Sequence, residues 1–223
     1  MKPLILAGLL TLAFYAPSVA QEADDVGPKR VTWNFHDGRS GEPPDDWRFW
    51  RAGSAPDGRW RVRSEKGAPS GSKVLSQEEL AGPSDRWVFA CPKEPSFGDV
   101  TADVSFKVVG GASSRACGLV WRFKDERNHY ALEADATAGA VTLYAMKDGR
   151  RTKVAAKECE IASGVWHELR IDCRKKSFEA ILDNRALFEA DDGGIGGWGS
   201  VGVFTRGDAA CRFDDLIGDP LAP

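Results

Sequence analysis

Two acidic residues, Glu133 and Asp135, have the residue types and the spacing that sugar chemistry uses. They lie two residues apart in a short segment, residues 129–135, in which apolar and polar side chains alternate. Alternate residues of a β-strand point to the same face, so we expect the two side chains roughly 6–7 Å apart. Glycosidases use pairs of carboxyl groups at such separations. Glu133 and Asp135 are therefore the candidate catalytic pair, and a solvated or arginine-paired strand face is the alternative.

A predicted ligand-binding face surrounds this pair. Sugar sites combine flat aromatic rings with a few placed polar groups. Trp121 and Tyr144 offer rings, and packing of Trp121 beneath a loop is the alternative for that residue. Arg122 is expected at the mouth of a hairpin, where it either reaches the sheet edge or pairs with a carboxylate. The candidate ligand-binding residues are Trp121, Arg122, His129, Glu133, Thr142 and Tyr144.

Three predicted strands in residues 116–149 position these side chains. The segment contains three alternating apolar runs, and the last ends at Asp148-Gly149, a strong hairpin-turn pair. Opposing Val120 to Leu132 and Leu132 to Leu143 gives one apolar core face and one mixed aromatic and polar face. The predicted core face holds Val120, Leu132, Ala134, Val141, Leu143 and Ala145, continued by Thr152, Val154 and Ala156. The predicted opposite face holds Leu119, Trp121, Phe123, His129, Glu133, Asp135, Thr142 and Tyr144.

The rest of the chain also predicts short strands joined by turn residues. Residues 99–109 alternate regularly, glycine-rich residues 191–199 separate two later strands, and no segment has a convincing helical period. Such a pattern indicates an all-β sandwich, with a barrel as the alternative. We expect a single domain over residues 31–219 and a C-terminal tail at residues 220–223.

The N-terminus predicts export. Met1-Lys2, an apolar run over residues 4–16 and then Ser18-Val19-Ala20 are typical of a secretory signal peptide, and the run is too short to cross a bilayer. Residues 1–20 are therefore the predicted signal peptide, and residues 21–30 are a predicted flexible lead-in. We expect a secreted or periplasmic protein that does not insert into a membrane once the signal is removed.

The amino-acid composition limits the classes of partner and cofactor that we expect. The chain has 30 basic and 33 acidic residues and a net charge of −3, which argues against nucleic acid as the main partner. Its five cysteines match no zinc spacing, and their odd count leaves at least one unpaired. No cofactor is expected. Asp214-Asp215 could help to hold a structural Ca²⁺, and salt bridges to Arg30 or Arg212 are the alternative.

Residues 35–219 resemble the concanavalin A-like lectin/glucanase superfamily, and most of all the bacterial 3-keto-disaccharide hydrolase (glycoside hydrolase 16-like) domain family. The resemblance implies a jelly-roll sandwich of two antiparallel sheets, one of them concave. The motifs that carry it are Ala68-Pro69-Ser70-Gly71 with Val74-Leu75, Gly118-Leu119-Val120-Trp121-Arg122 with Asn128 and Tyr130, Leu143-Tyr144 with Asp148-Gly149-Arg150, Trp166-His167-Glu168-Leu169-Arg170, Leu182-Asp183 with Leu187-Phe188, Gly199 with Val203-Phe204-Thr205, and Phe213-Asp214-Asp215.

The resemblance implies saccharide as the ligand and leaves the activity open, since this fold hosts both lectins and hydrolases. The β-glucanases of the superfamily carry three carboxylates on one strand, in the pattern Glu-x-Asp-x-(x)-Glu. Here Ala136, Thr137 and Ala138 follow Asp135, so the third carboxylate is missing. We therefore predict an exported carbohydrate-binding module without catalysis. The alternatives are a glycoside hydrolase acting on 3-keto-glycosides and a protein-interaction module of the cell envelope.

Overall fold

The structure, a computed structural model, describes residues 27–53 and 56–221, so the predicted signal peptide, most of the predicted lead-in and half of the predicted tail lie outside the described residues. Every regular element in the described part is a β-strand. The strands are β1 Val31–Trp33, β2 Trp47–Ala52, β3 Trp60–Ser64, β4 Lys73–Gln77, β5 Trp87–Pro92, β6 Val100–Gly110, β7 Ala116–Asp125, β8 Asn128–Asp135, β9 Ala140–Lys147, β10 Arg150–Glu158, β11 His167–Arg174, β12 Ser177–Leu182, β13 Arg185–Asp191, β14 Ser200–Arg206 and β15 Ala210–Pro220.

The strands form two antiparallel sheets, which confirms the predicted jelly-roll sandwich. The eight-stranded sheet has the order β13-β12-β11-β6-β15-β4-β3, and β1 pairs with β15. The seven-stranded sheet has the order β10-β9-β8-β7-β14-β5-β2. Within the described residues, no helix is long and apolar enough to cross a membrane.

The main core lies between the two sheets. In β6 the residues Ala102, Val104, Phe106 and Val108 are fully buried, whereas the residues between them are partly accessible. This period of two is expected of a strand with one face on a core. In β7 and β8, by contrast, nearly every residue is buried. A second hydrophobic cluster explains this, because it covers the outer face of the seven-stranded sheet.

The pairing of β7 with β8 differs from the predicted pairing by one residue. Leu132 lies opposite Leu119 rather than Val120, and Trp121 lies opposite Tyr130. A one-residue shift moves every side chain of the strand to the other face. Leu119 and Trp121 therefore belong to the main core, and Val120 belongs to the outer cluster. The predicted faces of these three residues were wrong.

A β-bulge in β7 then restores the predicted face for the next aromatic residue. The register shifts between Trp121 and Asp125, and Arg122 in this stretch has a positive φ of 45°. The extra residue takes up one step of the alternation, so Phe123 lies on the outer face as predicted.

The pairings of β8 with β9 and of β9 with β10 agree more closely with the prediction. Leu132 lies opposite Leu143 and Ala134 opposite Val141, as predicted. In β10 a second bulge places Ala155, rather than Ala156, opposite Leu143. The predicted core position of Ala156 was therefore wrong.

Replacing Trp121 by alanine tests the revised register. Trp121 is 0% exposed and its ring stacks on that of Tyr130 at a centroid distance of 5.5 Å. Removing it leaves a large cavity, so we expect Trp121→Ala to lower the free energy of unfolding by about 3–5 kcal/mol. Urea denaturation measures this change. The matched control is Trp198→Ala, because Trp198 is 58% exposed and should change stability little. Equal effects of the two substitutions would contradict the register.

Two cysteines face each other across the sandwich. Cys117 of β7 pairs with Thr205 of β14, and Cys211 of β15 pairs with Gln77 of β4. Gln77 Nε2 donates a hydrogen bond to Thr205 Oγ1 at 3.2 Å, so these two cross-strand pairs, one from each sheet, face each other in the core. The chain also crosses from one sheet to the other at this end, between Arg206 and Ala210. Both thiols are completely buried, and burial together with the neighbouring Cys211 raises the pKa of Cys117.

Refolding the reduced chain with oxidised glutathione should join this pair. Thiol–disulfide exchange forms the Cys117–Cys211 bond and releases two molecules of reduced glutathione, leaving Cys91, Cys159 and Cys173 as thiols. Burial and the neighbouring thiol raise the pKa of Cys117, so the same reagent should act slowly on the folded reduced protein. Thiol titration and peptide mapping check both points. Cys117→Ser should abolish the bridge and Cys159→Ser should retain it; a bridge between other cysteines would refute the pairing.

Candidate functional site

The outer face of the seven-stranded sheet carries most of the predicted site residues. His129, Glu133 and Asp135 project from β8, and Thr142 lies beside Glu133 on β9. Tyr144, the next residue on this face of β9, lies opposite Ala131 of the outer cluster. The sequence places this group correctly because the pairing of β8 with β9 was predicted correctly.

Two predicted ligand-binding residues lie inside the protein instead. Trp121 is in the main core because of the register shift. Arg122 is buried at the bulge, where it pairs with Asp99 at 3.1 Å. Its guanidinium also donates to the carbonyl oxygens of Ile195 and Lys175, at 3.0 and 2.7 Å. Neither side chain is available to a ligand, so both site predictions were wrong, although the predicted carboxylate partner of Arg122 exists.

Glu133 and Asp135 share one arginine. Arg206 of β14 binds Glu133 through Nε at 2.7 Å and through Nη2 at 3.2 Å, and the same Nη2 lies 2.7 Å from Asp135. Ala116 of β7 lies between Asp135 and Arg206 in the sheet, and Gly118, two residues along β7, lies between Glu133 and Phe204. A glycine at this position leaves the outer face open, so the arginine side chain can reach across β7.

The environment of the two carboxylates is that of a buried ion network. Burial raises the pKa of Glu133 above its usual range, and the hydrogen bond and charge of Arg206 offset part of this effect. Asp135 also accepts hydrogen bonds from the backbone N–H groups of Thr137 and Ala138, at 2.8 and 3.1 Å. Glu133 is only 2% exposed. Both carboxylates contact Arg206, as the arginine-paired alternative predicts for this strand face.

A layer of aromatic rings forms the floor of this face. Trp87 of β5 stacks on Phe204 of β14 with centroids 4.6 Å apart and planes 14° apart. Phe89 packs against Phe204 and against Phe123. The rings are packed closely enough that Trp87 is only 3% exposed. A ligand on this face would therefore contact the rim of the layer rather than its centre.

His129 is part of the aromatic layer. Its ring lies 4.9 Å from Phe89 and 5.0 Å from Phe123. Nδ1 is 3.0 Å from the carbonyl oxygen of Asp125, which can only accept, so Nδ1 carries the proton. Nε2 has no partner among the described residues. Burial lowers the pKa of His129 to about 4, so the ring is neutral near pH 7.

The rim combines half-buried rings with charged groups. The guanidinium of Arg151, on β10, lies 5.2 Å from the ring centre of Tyr144 and 5.6 Å from that of Trp87. At these distances a cation is attracted to an aromatic face. Trp50 of edge strand β2 meets Phe123 edge-on at 5.0 Å. Tyr144, Arg151 and Trp50 are accessible to solvent, which makes them candidate contacts for a ligand.

Five further residues on this face were not predicted from the sequence, namely Arg206, Arg151, Trp87, Phe89 and Phe204. Residues 87, 89 and 91, and residues 202, 204 and 206, follow the period of two that marks one face of a strand. Three of the four residues between them, Val88, Ala90 and Val203, are also apolar, so the pattern does not show which face is covered by the second sheet.

The predicted Ca²⁺ residues have other partners. Asp214 accepts hydrogen bonds from the backbone N–H and the hydroxyl of Ser70, and Asp215 lies 2.6 Å from that hydroxyl. The predicted salt bridges are absent too, since Arg30 pairs with Asp219 and Arg212 with Glu65. In the described residues no group of three or more His, Cys, Asp or Glu side chains is arranged to hold a metal ion.

Comparison with known proteins shows the fold. The carbohydrate-binding module CBM66 from Bacillus subtilis is 20% identical with a TM-score of 0.59, over 77% of this chain and 93% of that one. The cellulose-induced protein Cip1 is 12% identical with a TM-score of 0.59, over 86% and 99%. A β-1,3-1,4-glucanase (lichenase) from a mouse hindgut metagenome is 11% identical with a TM-score of 0.56, over 86% and 100%.

The chain has a concanavalin A-like jelly-roll fold. No protein-family model and no curated protein matches the sequence. The more specific resemblance to the 3-keto-disaccharide hydrolase domain family therefore stays a prediction.

The lowered pKa of His129 predicts a loss of stability in acid. Below pH 6.5 the unfolded chain binds a proton at His129 that the folded chain does not bind until about pH 4. Stability should therefore fall as the pH falls through this window, by about 3 kcal/mol from this residue. Urea denaturation at pH 7 and pH 4.5 measures the loss.

His129→Phe should keep more of its stability in acid than the wild type does, since it removes the group that takes up the proton. His36→Gln, outside the aromatic layer, is the matched control and should lose as much as the wild type. The interpretation fails if His129→Phe and the wild type lose equal stability.

Proposed function

We propose that this protein is an exported carbohydrate-binding module that binds saccharide on the outer face of the seven-stranded sheet without cleaving it. The observation that carries the proposal is the accessible rim of that face. Tyr144, Arg151 and Trp50 combine aromatic surface with hydrogen-bonding groups around a rigid floor. Such a combination is typical of sugar sites, where rings contact C–H groups and polar side chains contact hydroxyls.

The close packing of the aromatic layer favours a binding site that is already formed before the ligand binds. The stacked rings of Trp87 and Phe204 hold the backbone of three neighbouring strands, β5, β14 and β7, in one arrangement. Tyr144 meets the edge of Trp87 at 6.1 Å and is covered on one side by Arg151. A ring that is already fixed loses little conformational entropy when a ligand binds.

The state of the carboxylates supports the non-catalytic part of the proposal. A glycosidase needs one carboxyl group to donate a proton and another to attack or activate water beside the sugar. Here both oxygens of Glu133 and one of Asp135 contact a single guanidinium, and both side chains are buried. The sequence also lacks the third carboxylate of the β-glucanase pattern.

A glycoside hydrolase is the second candidate function, and one observation favours it. The pKa of Glu133 is raised by burial, as in carboxyl groups that serve as general acids. A lichenase is also among the proteins with this fold. The experiment must therefore separate binding from turnover.

A glycan array, run beside a product assay on every glycan that binds, tests the proposal. We expect binding without product. Tyr144→Ala should weaken binding by about 1–3 kcal/mol because apolar contact with the sugar is lost. The matched control is Trp166→Ala, since Trp166 is a half-buried ring that Lys107 covers at 4.9 Å elsewhere on the protein. The control should bind normally.

Glu133→Gln distinguishes the two functions. In a binding module there is no turnover to lose. In a hydrolase that relies on Glu133 for proton transfer, the rate should fall by roughly 10²–10⁴ while binding survives. Turnover by the wild type that disappears in Glu133→Gln would overturn the binding-module proposal, and unchanged binding by Tyr144→Ala would show that another surface is used.

A further inference from the structure

Strand β10, at one edge of the seven-stranded sheet, carries a row of positive charge. It contains Arg150, Arg151, Lys153 and Lys157 against a single acidic residue, Glu158, and Lys147 precedes it at the end of β9. The whole chain has a net charge of −3, so this concentration is local. All five basic residues are exposed to solvent.

These basic residues form no salt bridge with any carboxylate of the described part of the chain. Elsewhere many arginines are paired, for example Arg63 with Glu78 at 2.6 Å and Arg170 with Asp172 at 2.7 Å. Within residues 27–53 and 56–221, no carboxylate lies within 4.0 Å of a side-chain nitrogen of the basic residues on this edge, namely Lys147, Arg150, Arg151, Lys153 and Lys157. Their charge is therefore available to a ligand.

Protection of the sheet edge does not explain why nearly all the charged residues of β10 are positive. Exposed edge strands carry charged side chains that discourage pairing with other chains. Strand β13, an edge of the eight-stranded sheet, does this with Arg185, Glu189 and Asp191, which are of mixed sign. A row of one sign also creates a field that attracts polyanions, and mixed charges do not.

The row adjoins the rim of the proposed sugar site. Lys153 lies opposite Tyr144 and Arg151 opposite Met146 in the pairing of β10 with β9. Arg151 contacts the ring of Tyr144 directly. Arg151 and Lys153 therefore lie on the same face as Tyr144, whereas Lys157 lies opposite Val141 of the main core and belongs to the other face of the strand.

We propose that the saccharide bound by this protein is a polyanion, a carboxylated or sulfated polysaccharide whose acidic groups lie along β10 while its rings contact Tyr144. This inference rests on the proposed function and names the ligand class for the same face. A saccharide is favoured over nucleic acid because the rim beside the basic row offers the accessible ring and hydroxyl of Tyr144, which suit a sugar ring and its hydroxyl groups.

Titration calorimetry with defined polymers tests the ligand class. The probes are polygalacturonate, dextran sulfate and neutral dextran, with single-stranded DNA and anionic phosphatidylserine vesicles as charged probes that are not saccharides. We expect polygalacturonate or dextran sulfate to bind at least about tenfold more tightly than dextran, with affinity falling as salt is added. The two charged polymers distinguish carboxylate from sulfate as the recognised group.

The double variant Arg151→Gln/Lys153→Gln should weaken binding of the charged polymer by about tenfold or more, since the two charge–charge contacts beside Tyr144 are lost. Lys29→Gln/Lys66→Gln removes the same charge from exposed positions outside β10 and should bind like the wild type. Equal losses in the two double variants would overturn the role of β10.

The outcomes separate this inference from the proposed function. If the glycan array finds only neutral glycans, the polyanion inference is wrong and the binding-module proposal stands. If no glycan binds, both are wrong. If DNA or the vesicles bind as tightly as the charged polysaccharides, the basic row attracts any polyanion and its assignment to saccharide is wrong.

Discussion

The need to cover both faces of the seven-stranded sheet governs the rest of this structure. Its central strands carry apolar side chains on both sides, and leaving either side in water would forfeit the burial that stabilises the fold. One side packs on the eight-stranded sheet. The other side is packed by its own aromatic rings, with Trp87 and Phe204 at the centre. Functional groups are therefore displaced to the rim, where Tyr144, Arg151 and Trp50 remain accessible.

Sharing Arg206 between Glu133 and Asp135 follows from the same constraint. Two carboxylates on a face that becomes buried need a positive partner, since an unpaired buried charge is costly. Arg206 approaches from β14, the strand that lies beyond β7 from β8. One guanidinium thus satisfies two acids that the chain places two residues apart. The architecture of the sheet thus provides a charge partner for acidic residues at this spacing.

The fold and about half of the site could be predicted from the sequence. Alternation and turn residues identify the strands, and Leu132 and Leu143 fix the pairing that places Glu133, Thr142 and Tyr144 on one face. The pairing of β7 could not be deduced, because its residues are apolar on both faces and the bulge at Arg122 breaks the alternation. Arg206 and Trp87 were missed for a different reason. They reach the site through pairings between strands that are far apart in the sequence, which no local pattern records.

The position of the last two strands has a consequence for the order of assembly. Strand β14 lies between β7 and β5, and β15 lies between β6 and β4, so each is an inner strand of its sheet. Strand β1 also pairs with β15, joining Val31 to Gly218. Neither sheet can close until nearly the whole chain has been synthesised, and contacts between distant residues make such closure slow. In a nascent chain of this topology, both sheets stay incomplete until the last two strands have been synthesised.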